Sequence, residues 1–348
     1  MQRRKTKKIY VKDITIGGDS PIVIQSMTNT KTSDAKATIA QIKALEKAGC
    51  ELVRVSVPNN ESAQAIGEII SNVDIPVVAD IHFDYKLALE SIKNGVHGLR
   101  INPGNIGNEE KVIQVVNEAK KRNIKIRIGV NAGSLEKDLL DSMGRTPEAM
   151  VESAFRHIKI LEKYDFYNTA VSLKASDIET TIKAYELFSS KSDYPLHLGI
   201  TEAGTLKAGT IKSSIGIGYM LLNGIGDTIR VSLTADPVEE IYVAKEILKS
   251  IGLDNESIRI ISCPTCARTD IDIIGLAEKV EKATANIKKN ITVAIMGCAV
   301  NGPGEARDAD LGIAGGKSEA LLFKKGQIIR KVDEASIIEV LLEEIDKF

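Results

Sequence analysis

The chain has 348 residues, 43% of them hydrophobic and 27% charged, with a formal net charge of -1 at pH 7. That near-neutral balance excludes a bulk electrostatic attraction to nucleic acid, and the apolar residues are too scattered for a membrane span. The length exceeds what one hydrophobic core usually serves, so a large domain followed by a smaller one is expected.

The basic start, MQRRKTKKIYVKDITIGG, has no apolar segment of the kind a secretory signal requires, which makes the cytoplasm the expected compartment. From residue 21 to about 235, short β-rich segments alternate with longer helical patterns, the rhythm of parallel βα units. Eight strands are predicted. They are PIVIQSM from Pro21, ELVRVSV from Glu51, PVVADIHF from Pro76, HGLRINPG from His97, IKIRIGVNAG from Ile124, TAVSLKAS from Thr169, PLHLGITEAG from Pro195 and TIRVSLTA from Thr228. Between them lie stretches such as ATIAQIKALEKAG, where apolar residues recur at three and four and Gly49 can cap the end. A doubly wound sheet usually carries a glycine fingerprint in its first βα turn, and here that turn, SMTNTKTSD, has none. A (β/α)8 TIM-type barrel over residues 1–252 is therefore favoured.

Gly252 to Glu256 reads as a linker, and residues 253–348 read as a smaller α+β domain. IRIIS and ITVAIM look like strands ending at cysteines, DIIGLAEKVEKATANIKK like a helix, EALLFKKGQIIRKV like a hairpin turning at Lys325-Gly326, and ASIIEVLLEEIDKF like a closing helix.

Side chains alternate across a strand, so parity separates the two faces of each predicted barrel strand. In five of the strands the apolar set falls on one face, and Arg54, Arg100, Arg127, Lys174 and Arg230 fall on the other, with Ser56, Asn102, Asn131, Ser176 and Ser232. Cations converging inside a barrel repel unless something neutralises them, and a phosphate-bearing ligand at the strand ends would do so. Pairing with Asp80 or Glu202 is the structural alternative. His82 shares its strand face with Asp80 and could donate to an anion or shuttle a proton; Glu202, in ITEAG, could be an acid/base or an ion-pair partner. The glycines and hydroxyls of AGTLKAGTIKSSIGIG add a weak phosphate-site signal.

Four cysteines are present. Cys263 and Cys266 form a C-x2-C pair in CPTC, Cys298 follows in MGCAVNGPGE, and the carboxylate of Glu305 could complete a coordination set. An iron-sulfur cluster, a zinc site and a thioredoxin-like dithiol all remain open on these residues alone, with a metal centre favoured. Cys50, in KAGCEL, reads as a packing residue.

The motifs QSMTNT, RVSVPN, VADIHFDY, LRINPGNIG, IRIGVNAGSL, ITEAGT, ISCPTCARTDID and MGCAVNGPGEA, in this order across nearly the whole chain, resemble the 4-hydroxy-3-methylbut-2-enyl diphosphate synthase (GcpE) family in its compact two-domain bacterial form. The resemblance implies a barrel followed by a [4Fe-4S] domain, with Cys263, Cys266, Cys298 and Glu305 as cluster ligands. It implies two-electron reductive ring opening of 2-C-methyl-D-erythritol 2,4-cyclodiphosphate in the methylerythritol phosphate route to isoprenoids. Arg54, His82, Arg100, Arg127, Asn131, Lys174, Thr201 and Ser232 correspond to substrate-holding positions, and Glu202 to a proton donor. Ferredoxin or flavodoxin is the implied electron donor, and a head-to-tail homodimer the implied assembly, with the cluster domain of one subunit over the barrel of the other.

Overall fold

The computed structural model describes residues 3–254, 256–285, 287–298, 306–316 and 319–348. Two compact units divide the chain, Met1–Ile247 and Leu248–Phe348.

The first unit opens with an antiparallel hairpin, β1 (Ile9–Val11) and β2 (Ile14–Ile16). The predicted alternation follows: β3 (Val23–Met27), α1 (Ala35–Ala48), β4 (Leu52–Ser56), α2 (Asn60–Ile70), β5 (Val77–Asp80), α3 (Tyr85–Lys93), β6 (Gly98–Arg100) and α4 (Glu109–Lys121). Then come β7 (Lys125–Asn131), α5 (Lys137–Met143), α6 (Pro147–Glu162), β8 (Thr169–Lys174), α7 (Ile178–Ser189), β9 (His197–Leu198), α8 (Leu206–Leu222), β10 (Thr228–Ile229) and α9 (Pro237–Ser250). Local chemistry sets many of the helix ends. Asp34, Asn59, Asp84, Asn108, Thr146 and Asp177 each accept a backbone N–H of the first turn, and Gly49 ends α1 at φ 101°.

The eight barrel strands run in the order β8-β7-β6-β5-β4-β3-β10-β9, with parallel neighbours, and a parallel bridge between Val171 and Leu196 joins the two ends of the series. Each predicted barrel strand is present. The outer faces of the strands, among them Val53, Val55, Leu99, Ile126, Ile128, Val171 and Leu173, are fully buried beneath the helices. Inside, glycines stand next to the long side chains: a Cβ at Gly129 would collide with the Arg100 guanidinium, and one at Gly199 with the Lys174 ammonium. The lumen holds its cations because these positions have no side chain of their own.

The hairpin was not foreseen from the basic start of the chain. Ile9, Val11 and Ile16 pack with Val23, Leu52, Val78 and Ala170, the first inward residues of four barrel strands, and plug the N-terminal end of the barrel. Arg3 pairs with the buried Asp227 at 3.2 Å, and Arg4 bonds to the carbonyl of Tyr194, 2.7 Å away, so the chain start also fastens the segments leading into β9 and β10.

In the second unit a five-stranded sheet runs β11 (Arg259–Ser262), β12 (Thr292–Met296), β13 (Leu311–Gly315), β14 (Glu319–Lys324) and β15 (Gln327–Asp333). The first three strands are mutually parallel and the rest antiparallel. α10 (Ile273–Thr284) and α11 (Ile337–Asp346) supply Ile273, Val280, Ile337, Leu341 and Ile345 to its core. Lys325 and Gly326 turn the hairpin with φ of 46° and 76°, the positive pair that a tight two-residue turn demands. The central strand β13, LGIAG, has no counterpart among the predicted strands; its small residues carry little strand signal.

No helix among the described residues is long and apolar enough to cross a membrane.

Candidate active site

Strand parity brings Arg54, Arg100, Arg127 and Lys174 into the lumen, and Arg100, Arg127 and Lys174 are each less than a tenth exposed. Asp80, at the end of β5, lies between two of these cations: Oδ2 is 3.4 Å from Arg54 Nε and Oδ1 is 3.3 Å from Arg100 Nη1. Burial alone would push this carboxyl up, but Arg54 and Arg100 outweigh it and hold the group below the usual carboxylate range. Arg230 finds a different partner, Glu240 of α9, at 3.5 Å, and Glu240 also accepts from Ser26 and from the backbone of Leu233.

Arg127 is the contrasting case. Its Nε and Nη1 are buried and meet no acceptor among the described residues, and burial, then Arg54 and Arg100, push its pKa far down. Burial likewise lowers Lys174 strongly, with Arg127, Arg230, Arg54 and Arg100 adding to the effect, and Arg54 falls to about 10 despite Asp80. The lumen thus carries more positive charge than Asp80 and Glu240 can neutralise, in a space from which bulk water is largely excluded. Such a site favours an anion with several oxygens.

Three lumen residues escape the sequence reading. Lys125 lies two positions before Arg127 on the same face and is 2% exposed; burial, then Arg127 and Arg54, lower its pKa to about 7. His197 bonds Thr228 through Nδ1 at 2.7 Å, while its Nε2 has no partner, and both amide atoms of the buried Gln25 are unpaired. Extending the parity count to the first residue of β7 and to β3 and β9 would have found all three.

At the C-terminal ends of the strands, the Asn102 side chain exchanges two hydrogen bonds with the Gly129 backbone, at 2.9 and 3.1 Å, and Arg100 Nη2 donates to the same carbonyl at 2.8 Å. Asn131, Thr201 and Ser232 are half-buried at this rim. His82 lies beyond the end of β5 in an exposed segment, its ring tilted against Phe83 at 6.0 Å. Glu202 is exposed just after β9, with φ 53°, a left-handed conformation that a non-glycine residue adopts at a cost and that often marks a functional position. No ion pair forms at Glu202 among the described residues; the acids facing the lumen cations are Asp80 and Glu240.

In the second unit, Cys263 directly follows β11 and Cys298 stands two residues beyond β12, so both thiols lie at the same end of two parallel, paired strands. The Gly297 N–H donates to Cys263 Sγ at 3.2 Å, and the Asp270 N–H to the Gly297 carbonyl at 3.0 Å, which joins the two thiol-bearing segments. Cys263, Cys266 and Cys298 are free thiols; Cys298 is buried, and Cys266 is exposed with its pKa lowered by hydrogen bonds from the backbone and then the side chain of Arg268. Among the described residues no three His, Cys, Asp or Glu side chains form a group that could hold a metal ion. The fourth predicted ligand, Glu305, lies outside the described residues. The donor chemistry, free thiols on segments that follow two paired parallel strands, suits an iron-sulfur cluster better than a hard cation. Cys50 is a buried residue of the barrel whose thiol burial pushes up to about 12, in keeping with packing rather than reactivity.

Residues 6–245 match the family described as the GcpE TIM-barrel domain, and residues 259–347 match the GcpE protein C-terminal domain. A relative from Ruminiclostridium cellulolyticum, named 4-hydroxy-3-methylbut-2-en-1-yl diphosphate synthase (flavodoxin), is 60% identical over 348 residues, covering 100% of this chain and 99% of its own. One from Clostridium perfringens bearing the same name is 58% identical, covering 99% of each chain. Among solved structures, Yersinia pestis dihydropteroate synthase superposes with a TM-score of 0.51 at 12% identity, over 70% of this chain and 98% of that one. N-acetylneuraminic acid synthetase from Leptospira borgpetersenii gives 0.51 at 12% identity, over 72% and 92%. Those two likenesses bear on the barrel fold alone.

Proposed function

The chain belongs to the GcpE family and is an oxidoreductase that converts 2-C-methyl-D-erythritol 2,4-cyclodiphosphate to 4-hydroxy-3-methylbut-2-enyl diphosphate in isoprenoid biosynthesis, and we propose that the lumen of its barrel holds the diphosphate. The observation that carries this reading is Arg127, a buried guanidinium with two unpartnered N–H-bearing nitrogens in a lumen already in positive excess. A cyclic diphosphate answers both deficits. Its oxygens accept the orphaned donors, and its charge offsets that of Arg54, Arg100, Arg127 and Lys174. Asn131, Thr201 and Ser232 hold it from the rim. As the ring opens, negative charge grows on the leaving diphosphate oxygen, and fixed cations in a dry pocket stabilise that charge without reorganising.

Cys263, Cys266, Cys298 and Glu305 would hold a [4Fe-4S] cluster, which would supply the two electrons one at a time and a Lewis-acidic iron. What supports this assignment is the proximity of the free thiols at the ends of β11 and β12. Glu202, exposed beside the strand ends, delivers the proton with which the departing hydroxyl leaves as water, and His82 donates to a substrate oxygen. We assign flavodoxin as the electron donor on the names of the relatives, and the cytoplasm as the compartment that keeps the thiols reduced.

We also assign a head-to-tail homodimer, with the cluster domain of one copy closing the barrel of the other and excluding water. An exposed apolar stripe on α8 supports self-association: Ile211, Ile215, Tyr219 and Leu222 recur at spacings of four and three, each about half exposed. Replacing Ile211 and Ile215 by glutamate should yield monomers in sedimentation; a variant that remains dimeric places the interface elsewhere.

The decisive experiment is anaerobic reconstitution with iron and sulfide, then reduced flavodoxin and the cyclodiphosphate, with product identified by mass. A brown protein that releases 4-hydroxy-3-methylbut-2-enyl diphosphate is expected; a colourless zinc protein that hydrolyses the ring without reductant would overturn the assignment.

A further inference from the structure

Two loops at the rim of the barrel meet on a histidine that the reading above leaves without a role. His157 lies on α6 with its side chain 3% exposed. Its Nδ1 is 3.1 Å from the backbone nitrogen of Gly104, and its Nε2 is 3.3 Å from Glu136 Oε1. Gly104 sits in the short 3-10 turn Pro103–Asn105, which follows Asn102 at the end of β6. Glu136 immediately precedes α5 and closes the loop that begins at Asn131.

A backbone N–H can only donate, so Nδ1 must present its lone pair and the ring proton must reside on Nε2, where it is donated to Glu136. Contact with the turn is intimate: a Cβ at Gly104 would stand 2.9 Å from His157 Cε1 and 3.2 Å from Nδ1. No residue larger than glycine lies against the ring without displacing it.

We infer that His157, as the neutral Nε2–H tautomer, is a positioning residue that locks the β6–α4 and β7–α5 loops together and so fixes Asn102 and Asn131 at the rim of the substrate site. This rests on the assignment of the lumen to the cyclodiphosphate. Asn102 transmits the effect, because its side chain grips the Gly129 carbonyl and N–H beside the Arg100 guanidinium. Rim groups held within a few tenths of an ångström bind the substrate without an ordering cost at the moment of binding.

The tautomer makes the lock sensitive to acid. A second proton on the ring would enter at Nδ1 and set N–H against N–H at Gly104, releasing the turn. Two charged groups face the ring: Glu136, which favours the imidazolium, and Arg156 of the same helix, which opposes it and is itself paired with Asp138 and Glu152. Burial is the largest influence and keeps the ring neutral to lower pH than a free imidazole. The lock is complete at neutral pH and is lost as pH falls through the lowered pKa.

The test measures cyclodiphosphate binding by calorimetry on the reconstituted holoenzyme without reductant, across pH, together with KM and kcat. His157→Leu removes both links, and Gly104→Ala wedges the turn off the ring while leaving α6 untouched, should the first variant fail to fold. Each should weaken binding roughly three- to tenfold, the scale of one lost buried hydrogen bond, and raise KM more than it lowers kcat. His157→Asn keeps an acceptor near the Nδ1 position but does not titrate. It should recover most of the affinity and flatten the acid-side decline that the wild type shows. The ¹⁵N spectrum of the wild-type ring should report a bare Nδ1 and a protonated Nε2. Unchanged affinity in Gly104→Ala, an unaltered acid limb in His157→Asn, or a proton on Nδ1 each overturns the inference. Wild-type protein that fails to bind the cyclodiphosphate overturns the lumen assignment instead, and the ring spectrum then judges the tautomer by itself.

Discussion

In the barrel, reactive charge is carried on strands and stripped of water; in the second unit, the thiols sit on the loops after the strands, and Cys266 keeps its solvent. Arg100 and Lys174 fill space that Gly129 and Gly199, on the neighbouring segments, leave open to them. Among the described residues, the segments of Cys263, Cys266 and Cys298 are joined by a few hydrogen bonds from backbone N–H groups, and no ligand group forms. The difference teaches where each site obtains its order. The barrel is preorganised by its own core and bears the electrostatic strain of that arrangement, whereas a thiolate site draws its geometry from the metal that it binds.

The widest separation between the two regions should come from Cys298→Ser. Loss of one thiolate should abolish the brown absorption and turnover completely, while the barrel, followed by circular dichroism and cyclodiphosphate binding, stays as it was. A variant that keeps the cluster would remove Cys298 from the ligand set. Next in size is Arg127→Met, which takes away a charge with no acidic partner. Substrate affinity should fall about ten- to a hundredfold, as for the loss of charge-assisted bonds, and the cluster spectrum should not change. If affinity holds, the diphosphate lies elsewhere.

The smallest effect is the most specific to burial, and it tests whether the lumen is strained. Lys125, unpaired and enclosed, has a pKa near 7 in the folded chain against about 10.4 when unfolded. Between those values the unfolded chain holds a proton that the folded one does not, so stability rises with pH across the window, and the penalty is fully present below it. Lys125→Met should therefore stabilise the protein at pH 7 by on the order of 1–2 kcal/mol and lose that advantage by pH 10. Equal thermal midpoints at pH 7 would mean that Lys125 has an unrecognised counter-ion.

The eight barrel strands were legible because a parallel strand between helices leaves a compact apolar signature, and the cations because alternation places every second residue on one face. What escaped did so for identifiable reasons. Lys125 begins β7 and precedes the segment in which parity was counted. Glu240, the partner of Arg230, belongs to a helix, where no strand rule could align it with the lumen. The hairpin of residues 9–16 was hidden by its basic flanks, and β13 by its small side chains. Glu202 was a candidate on its sequence, but its exposure and its positive φ depend on the turn after β9 rather than on any local pattern.

The plug at the bottom of the barrel bears on how the chain is made. Ile9, Val11 and Ile16 leave the ribosome well before their apolar partner Ala170, and Arg3 well before its anchor, Asp227. The hairpin is therefore made before the ring that it plugs, and it waits until that ring, which extends past Asp227, has closed. Once seated, it acts as a latch on that ring: withdrawing it uncovers apolar surface on four strands at once, so the opening of the barrel should begin at the hairpin.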